Sequence, residues 1–131
     1  MEKLNEKALN LFRGKNFVTV TTVNKDGSPH STTLWADTDG KNVVINTAIG
    51  RRKERNMVRD SRVGIAAFDV DDPYYRVHLN GVVIKRITGK KAEDHISYLS
   101  EKYTGVTPYK KSNPAEKRVI FVVQPTHIME Q

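Results

Sequence analysis

The sequence predicts a mainly β (α+β) domain, with six antiparallel strands closing into a barrel and three helices flanking it. Three observations carry that expectation. Runs rich in valine, isoleucine and threonine recur between turn residues. Two other stretches place apolar residues at helical spacing, and a third, basic stretch follows a glycine turn. The first three strands are joined by four-residue turns, which suit antiparallel neighbours. Six strands in an open sheet would leave two edges exposed, and closure removes them.

The first element is a helix. Leu4, Ala8, Leu11 and Phe12 form an apolar stripe, and Gly14 suits its stop. Residues 16–23 alternate and are β-branched, so they read as a strand. The Asn-Lys-Asp-Gly turn at 24–27 leads into a second strand over 28–37, with Pro29 at its start or edge. After a turn at 38–41, a third strand covers 42–47. A basic helix is expected over 51–60 and a strand over 62–69.

Asp71, Asp72 and Pro73 make a loop before a long strand at 74–87. Gly81 inside that strand signals a bulge or a close backbone approach. Ala92, Ile96, Leu99 and Tyr103 mark the third helix. A loop with two prolines fills 104–115. The last strand covers 118–129, where Pro125 confines it to an edge or bends it.

At 131 residues, the chain is expected to form one domain over 1–131. It has no cysteine, which excludes disulfides, thiolate catalysis and cysteine-bound metals. The charged N-terminal segment does not read as a signal peptide, and no apolar run reaches membrane-span length. A cytoplasmic location is the expectation. The net charge of +7 and pI near 9.7 point to an anionic partner. Arg51, Arg52, Lys53, Arg55, Arg59 and Arg62 form one cluster, and Lys110, Lys111, Lys117 and Arg118 a second.

The string VVINTAIGRRKERN is the most informative stretch. An apolar strand ends in a glycine turn, and a helix opens with three cations. Unpaired N–H groups and cations at a helix N-terminus suit a phosphate. Cations there oppose the helix macrodipole, so an anion should offset them. The alternative is a solvated basic face with Glu54 as a partial partner.

Other patterns exclude more than they assign. The four histidines lack metal-ligand spacing, so no metal is expected, and His95 beside Asp94 is expected to face solvent. Nucleophile-elbow, P-loop and dinucleotide fingerprints are absent. Trp35 suits a core or interface aromatic, or a wall for a planar ring. Tyr74, Tyr75 and Arg76 suit a ring edge or a barrel cap equally.

The segments GSPHSTTLWAD, INTAIGRRKERN and DSRVGIAAFDVDDPYYRVHLNG occur in this order. In that order they resemble the pyridoxamine-phosphate-oxidase-like split-barrel family, and more closely its small members that bind the deazaflavin coenzyme F420. The likeness is good over 16–81 and looser in the last helix and strand. Its most specific part is Gly-Arg-x-Lys-x-Arg-Asn, from Gly50 to Asn56.

The resemblance implies a six-stranded antiparallel Greek-key split barrel that forms a homodimer, with the cofactor in a groove shared by two subunits. It also implies that Arg51, Lys53 and Asn56 hold the cofactor phosphate. Arg52 with Lys53 matches a flavin-phosphate Arg-Lys pair, and Thr47 matches a hydroxyl near it. Thr32, Leu34 and Trp35 match the strand along the tricyclic ring. Arg76 falls where the oxidase branch has a ring-contacting glutamine.

Two departures bear on activity. Thr32 stands where the oxidase branch has arginine, and the long segment that binds pyridoxal phosphate is absent from this sequence. Pyridoxamine-phosphate oxidase activity is therefore not expected. Many small deazaflavin binders carry Ser-Pro where this chain has Thr32-Thr33.

The function implied is an oxidoreductase using coenzyme F420 or FMN for hydride transfer to a small unsaturated molecule. No acid or base is assigned. His30, His78, Tyr74 and Tyr75 read as structural. A non-catalytic flavin or deazaflavin carrier is the alternative. A basic nucleic-acid-binding module is a third reading, but its cluster lacks interleaved aromatics. Neither nucleic acid nor membrane is an expected partner.

Overall fold

The computed structural model describes residues 2–131. Helix α1 (Glu6–Arg13) is capped by Asn5, whose side-chain oxygen accepts the Ala8 N–H at 2.9 Å. The Asn5 amide also donates to Glu130 Oε1 at 2.8 Å, which ties the helix start to the end of the last strand. Ala8, Leu9, Leu11 and Phe12 are buried, and the helix ends at Gly14 as the stripe predicts. An N-cap of this kind contributes about 1 kcal/mol. Asn5→Ala should lower stability by that amount in urea denaturation. An unchanged midpoint would mean that the cap adds nothing to the fold.

Seven strands follow: β1 (Val18–Val23), β2 (Pro29–Leu34), β3 (Ala36–Thr38), β4 (Val43–Ala48), β5 (Arg62–Phe68), β6 (Arg76–Thr88) and β7 (Arg118–Glu130). Helix α2 (Arg52–Arg59) lies between β4 and β5, and α3 (Lys90–Thr104) between β6 and β7. All neighbours are antiparallel, in the order β2-β1-β5-β6-β7-β4-β3.

The count of seven corrects the expected six. The predicted strand over 28–37 is two strands, separated by Trp35 alone. Its first half pairs with β1 and its second with β4. The first and last strands of the sheet order are thus joined by one residue, so the sheet must curl until its ends meet. Counted as one bent strand, β2 and β3 restore the six of a split barrel.

Tyr103 holds the bend. Its hydroxyl donates to Asn16 O at 2.7 Å and accepts the Ala36 N–H at 3.1 Å. Alternation alone cannot reveal such a break, because both halves keep strand character.

The continuous apolar run of β7 is explained by burial on both faces. Val119, Phe121 and Val123 enter the barrel core with Phe12, Val18, Ile65 and Leu79. Ile120 and Val122 face the other way, against Val44 and Ala92 of α3. Helix α3 therefore roofs the β4–β7 side of the barrel.

Gly81 sits at a register shift and pairs with Pro125. A Cβ on Gly81 would lie 2.7 Å from Gln124 O, so the expected close backbone approach is real. The ladder between β4 and β7 ends at Val123. Pro125 therefore lies beyond it, where its missing N–H leaves no β4 bond unmade. Among the described residues, no helix is long and apolar enough to cross a membrane.

Candidate functional site

The site grows from the end of β4. Ala48 pairs with Arg118, and the Ile49 N–H donates to Lys117 O at 2.8 Å. The chain then turns through Gly50 at φ +96°, a conformation that suits glycine. Arg51 is the N-cap of α2, one residue before the helix proper, and its side chain makes no cap bond.

The acid of the string does that work instead. Glu54 is buried; its Oε1 accepts the Gly50 N–H at 2.9 Å and its Oε2 meets Arg86 Nη2 at 3.3 Å. Its partners are thus the turn and β6. It does not neutralise the cations that surround it in sequence, and it supplies the negative charge that the helix N-terminus favours.

Arg51 and Lys53 border a cavity of about 310 Å³ beneath α3, with Leu34, Trp35, Asn46, Tyr109 and Arg118 among its walls. Arg118 is 4% exposed. Its Nε donates to Asn46 Oδ1 at 2.9 Å, and its Nη1 meets Glu116 Oε2 at 3.1 Å. Arg51 Nη2 reaches the other oxygen of Glu116, also at 3.1 Å. One carboxylate therefore serves two guanidinium groups.

Lys53 has no carboxylate partner among the described residues. Burial pushes its ammonium below the ordinary lysine value, and the charges of Arg51 and Arg118 push it the same way. Three cations around one carboxylate leave the cavity positive.

Aromatic side chains line the same cavity beside the cations. Trp35 stacks on Tyr103 with ring centroids 5.5 Å apart, and Tyr109 meets it edge-on at 6.4 Å. The Arg118 guanidinium lies 5.3 Å from the Tyr109 ring centroid. Cations next to flat aromatic rings suit a planar ligand that carries a phosphate or carboxylate.

The family model for pyridoxamine 5'-phosphate oxidase matches residues 4–131. This chain belongs to that family. Among solved structures, it is similar to one described as an F420 reductase, with 26% identity and a TM-score of 0.84; the match covers 98% of this chain and 100% of the other. It is also similar to a conserved hypothetical protein from Mycobacterium tuberculosis, at 25% identity and a TM-score of 0.76, covering 97% of this chain and 84% of that one. HupZ of Group A Streptococcus shares the fold at 16% identity and a TM-score of 0.67, over 97% of this chain and 93% of that one. No curated protein matched the sequence.

Membership of the pyridoxamine 5'-phosphate oxidase family makes the placement of each predicted residue informative. Arg51, Lys53, Leu34 and Trp35 meet at the cavity. Arg52 and Asn56 do not. They border a second, open groove of about 500 Å³ with Lys25, Arg55 and Arg59.

Asn56 is 3% exposed, and its amide is fully used. It donates to Thr22 Oγ1 and Asn24 Oδ1, both at 3.0 Å, and accepts from Arg59 Nη2 at 3.0 Å. It anchors α2 to the first hairpin. Thr47 alternates with Asn46 and so shares the inward face of Ile45; its hydroxyl is buried without a partner. The Thr32 hydroxyl is likewise buried and unpartnered, while its neighbour Thr33 lines the cavity. Arg76 is exposed on β6 opposite Phe68, away from the cavity.

Two residues differ from their sequence reading. His95 does not face solvent: its side chain is 13% exposed and its Nδ1 lies 3.1 Å from the Asn46 amide nitrogen. Arg118, which the sequence shows only as part of a charge cluster, supplies a buried cation to the cavity. Its residue type was the available signal, but only strand pairing beside β4 brings it there.

Proposed function

We propose that this protein is a homodimeric oxidoreductase that uses coenzyme F420, with FMN as the alternative cofactor, to reduce a small unsaturated molecule. The observation that carries the reading is Lys53, half-buried, without a carboxylate partner among the described residues, and crowded by Arg51 and Arg118 at one end of an aromatic-walled cavity. A phosphate there offsets the like-charge repulsion, and each charge-assisted hydrogen bond contributes about 1.5–3 kcal/mol. The name of the F420 reductase neighbour supports the deazaflavin over FMN.

The cofactor would supply the hydride chemistry. The chain's own part is to hold its phosphate with Lys53, Arg51 and Arg118, and to set its ring against Leu34 and Trp35. Tyr109 and the roof of α3 limit water on that side.

The dimer reading rests on the outer sheet face. Thr33, Thr19, Ala66, His78 and Met129 form one register row across five strands, and Ser31, Thr21, Gly64, Asn80 and His127 form the next. These rows are exposed or half-exposed and mostly small. Phe68 is 52% exposed and Met129 50% exposed on the same face. An exposed sheet face of small residues with Phe68 and Met129 on it suits a second copy. Arg76, beside Phe68, would reach a cofactor across such an interface.

A paired titration with FMN and F420, followed by absorbance or fluorescence, tests the reading. Micromolar binding of F420 is the expected result. Tighter binding of FMN would replace the deazaflavin, and binding of neither would overturn the cofactor site. Turnover with the reduced cofactor separates an enzyme from a carrier.

A further inference from the structure

We infer that Asn46 and His95 are positioning residues: they hold the Arg118 guanidinium at the cofactor cavity, and they do so only while Nδ1 of His95 carries no proton. This rests on the cofactor reading above for its functional consequence, and on hydrogen-bond geometry for its structure.

Arg118 is donor-only and permanently charged. Its Nε donates to Asn46 Oδ1 at 2.9 Å, which fixes the amide with its oxygen toward the arginine. The Asn46 nitrogen therefore points the other way. It donates to Ala92 O at 3.0 Å and toward His95 Nδ1 at 3.1 Å. A donor aimed at Nδ1 needs a lone pair there, so the neutral ring carries its proton on Nε2.

That nitrogen is buried, 3.5 Å from Asp37 Oδ2, which is within ion-pair range but long for a hydrogen bond. Burial resists ionisation of Asp37. His95, the Thr38 N–H and Lys102 outweigh it and hold the carboxyl below its usual value. The chain Asp37–His95–Asn46–Arg118 thus crosses from one side of α3 to the cofactor cavity, with its donor directions fixed from Arg118 to His95 Nδ1 and an ion-pair contact at Asp37.

A proton on Nδ1 breaks this order. It would oppose the Asn46 N–H, and the amide cannot rotate to accept it without turning its nitrogen on Arg118. One link must open, and Asn46 then no longer aims the guanidinium. Of the titratable groups, Asp37 contacts His95 and Tyr98 stacks on its ring at 6.3 Å, while Asp39, Lys85 of β6 and Lys91 of α3 line the same cavity of about 380 Å³. Arg118 stands behind Asn46.

The test measures FMN and F420 affinity between about pH 5 and pH 8 for the native protein and for His95→Gln. Glutamine offers an acceptor to Asn46 but does not titrate. Protonation of the cofactor phosphate affects both proteins alike. The native protein should lose about threefold or more additional affinity on acidification. Parallel profiles would overturn the inference.

Nitrogen-15 NMR of the native protein decides the structural part directly. A protonated Nδ1 at neutral pH overturns it, as does an Arg118 Nε–H signal that is the same with and without a proton on Nδ1. If neither cofactor binds, the cofactor reading fails. The NMR result then decides by itself whether the hydrogen-bond chain exists.

Discussion

Lys53→Ala should weaken cofactor binding by at least about tenfold, a loss of about 1.4 kcal/mol or more. The figure follows from one charge-assisted contact to phosphate, about 1.5–3 kcal/mol, lost from a half-buried site where screening is reduced. Stability should not fall with it. Lys53 has no carboxylate among the described residues to leave behind, and its removal relieves repulsion from Arg51 and Arg118. The measurement is a titration with FMN and F420 beside a thermal melt of both proteins. Equal affinities would remove Lys53 from the phosphate site. A large loss of melting temperature would show that its role is in folding.

Gly81→Ala should cost about 1–3 kcal/mol of stability. The added methyl would lie 2.7 Å from Gln124 O and 2.7 Å from Val123 Cγ1. One of those neighbours is backbone, so relief requires movement of β7 against β6, next to Pro125. Gly64→Ala is the control, since its Cβ would meet only Thr21 Cβ at an ordinary 3.6 Å. Chemical denaturation of the two variants compares them. Equal losses would mean that general strand effects, not the close approach, explain Gly81.

The secondary elements were legible because their signals are local. A stripe from Leu4 to Phe12 and alternation over Val18–Val23 each need only one face to be apolar. The bend at Trp35 was not legible. It depends on Tyr103 and α3 reaching Asn16 and Ala36 from far along the chain.

The candidate site divides the same way. Arg51, Lys53 and Trp35 follow from the short string and the family resemblance. Asn56 follows from the same pattern, yet its amide is taken by Thr22, Asn24 and Arg59. Buried amides must satisfy every donor and acceptor, and the partners that take up both amide protons of Asn56 lie on the first hairpin.

By itself the sequence determined that strands dominate, that a glycine turn leads into a basic helix, and that Gly81 marks a bulge or a close approach within the long strand. These depend on backbone preference and periodicity, which act over a few residues. Only the tertiary structure decided which cations remain without a counter-charge. Arg51 finds Glu116 across 65 residues of chain, Glu54 turns away to Gly50 and Arg86, and Lys53 is left facing the cavity. Charge pairing depends on distance in space, and folding sets that distance.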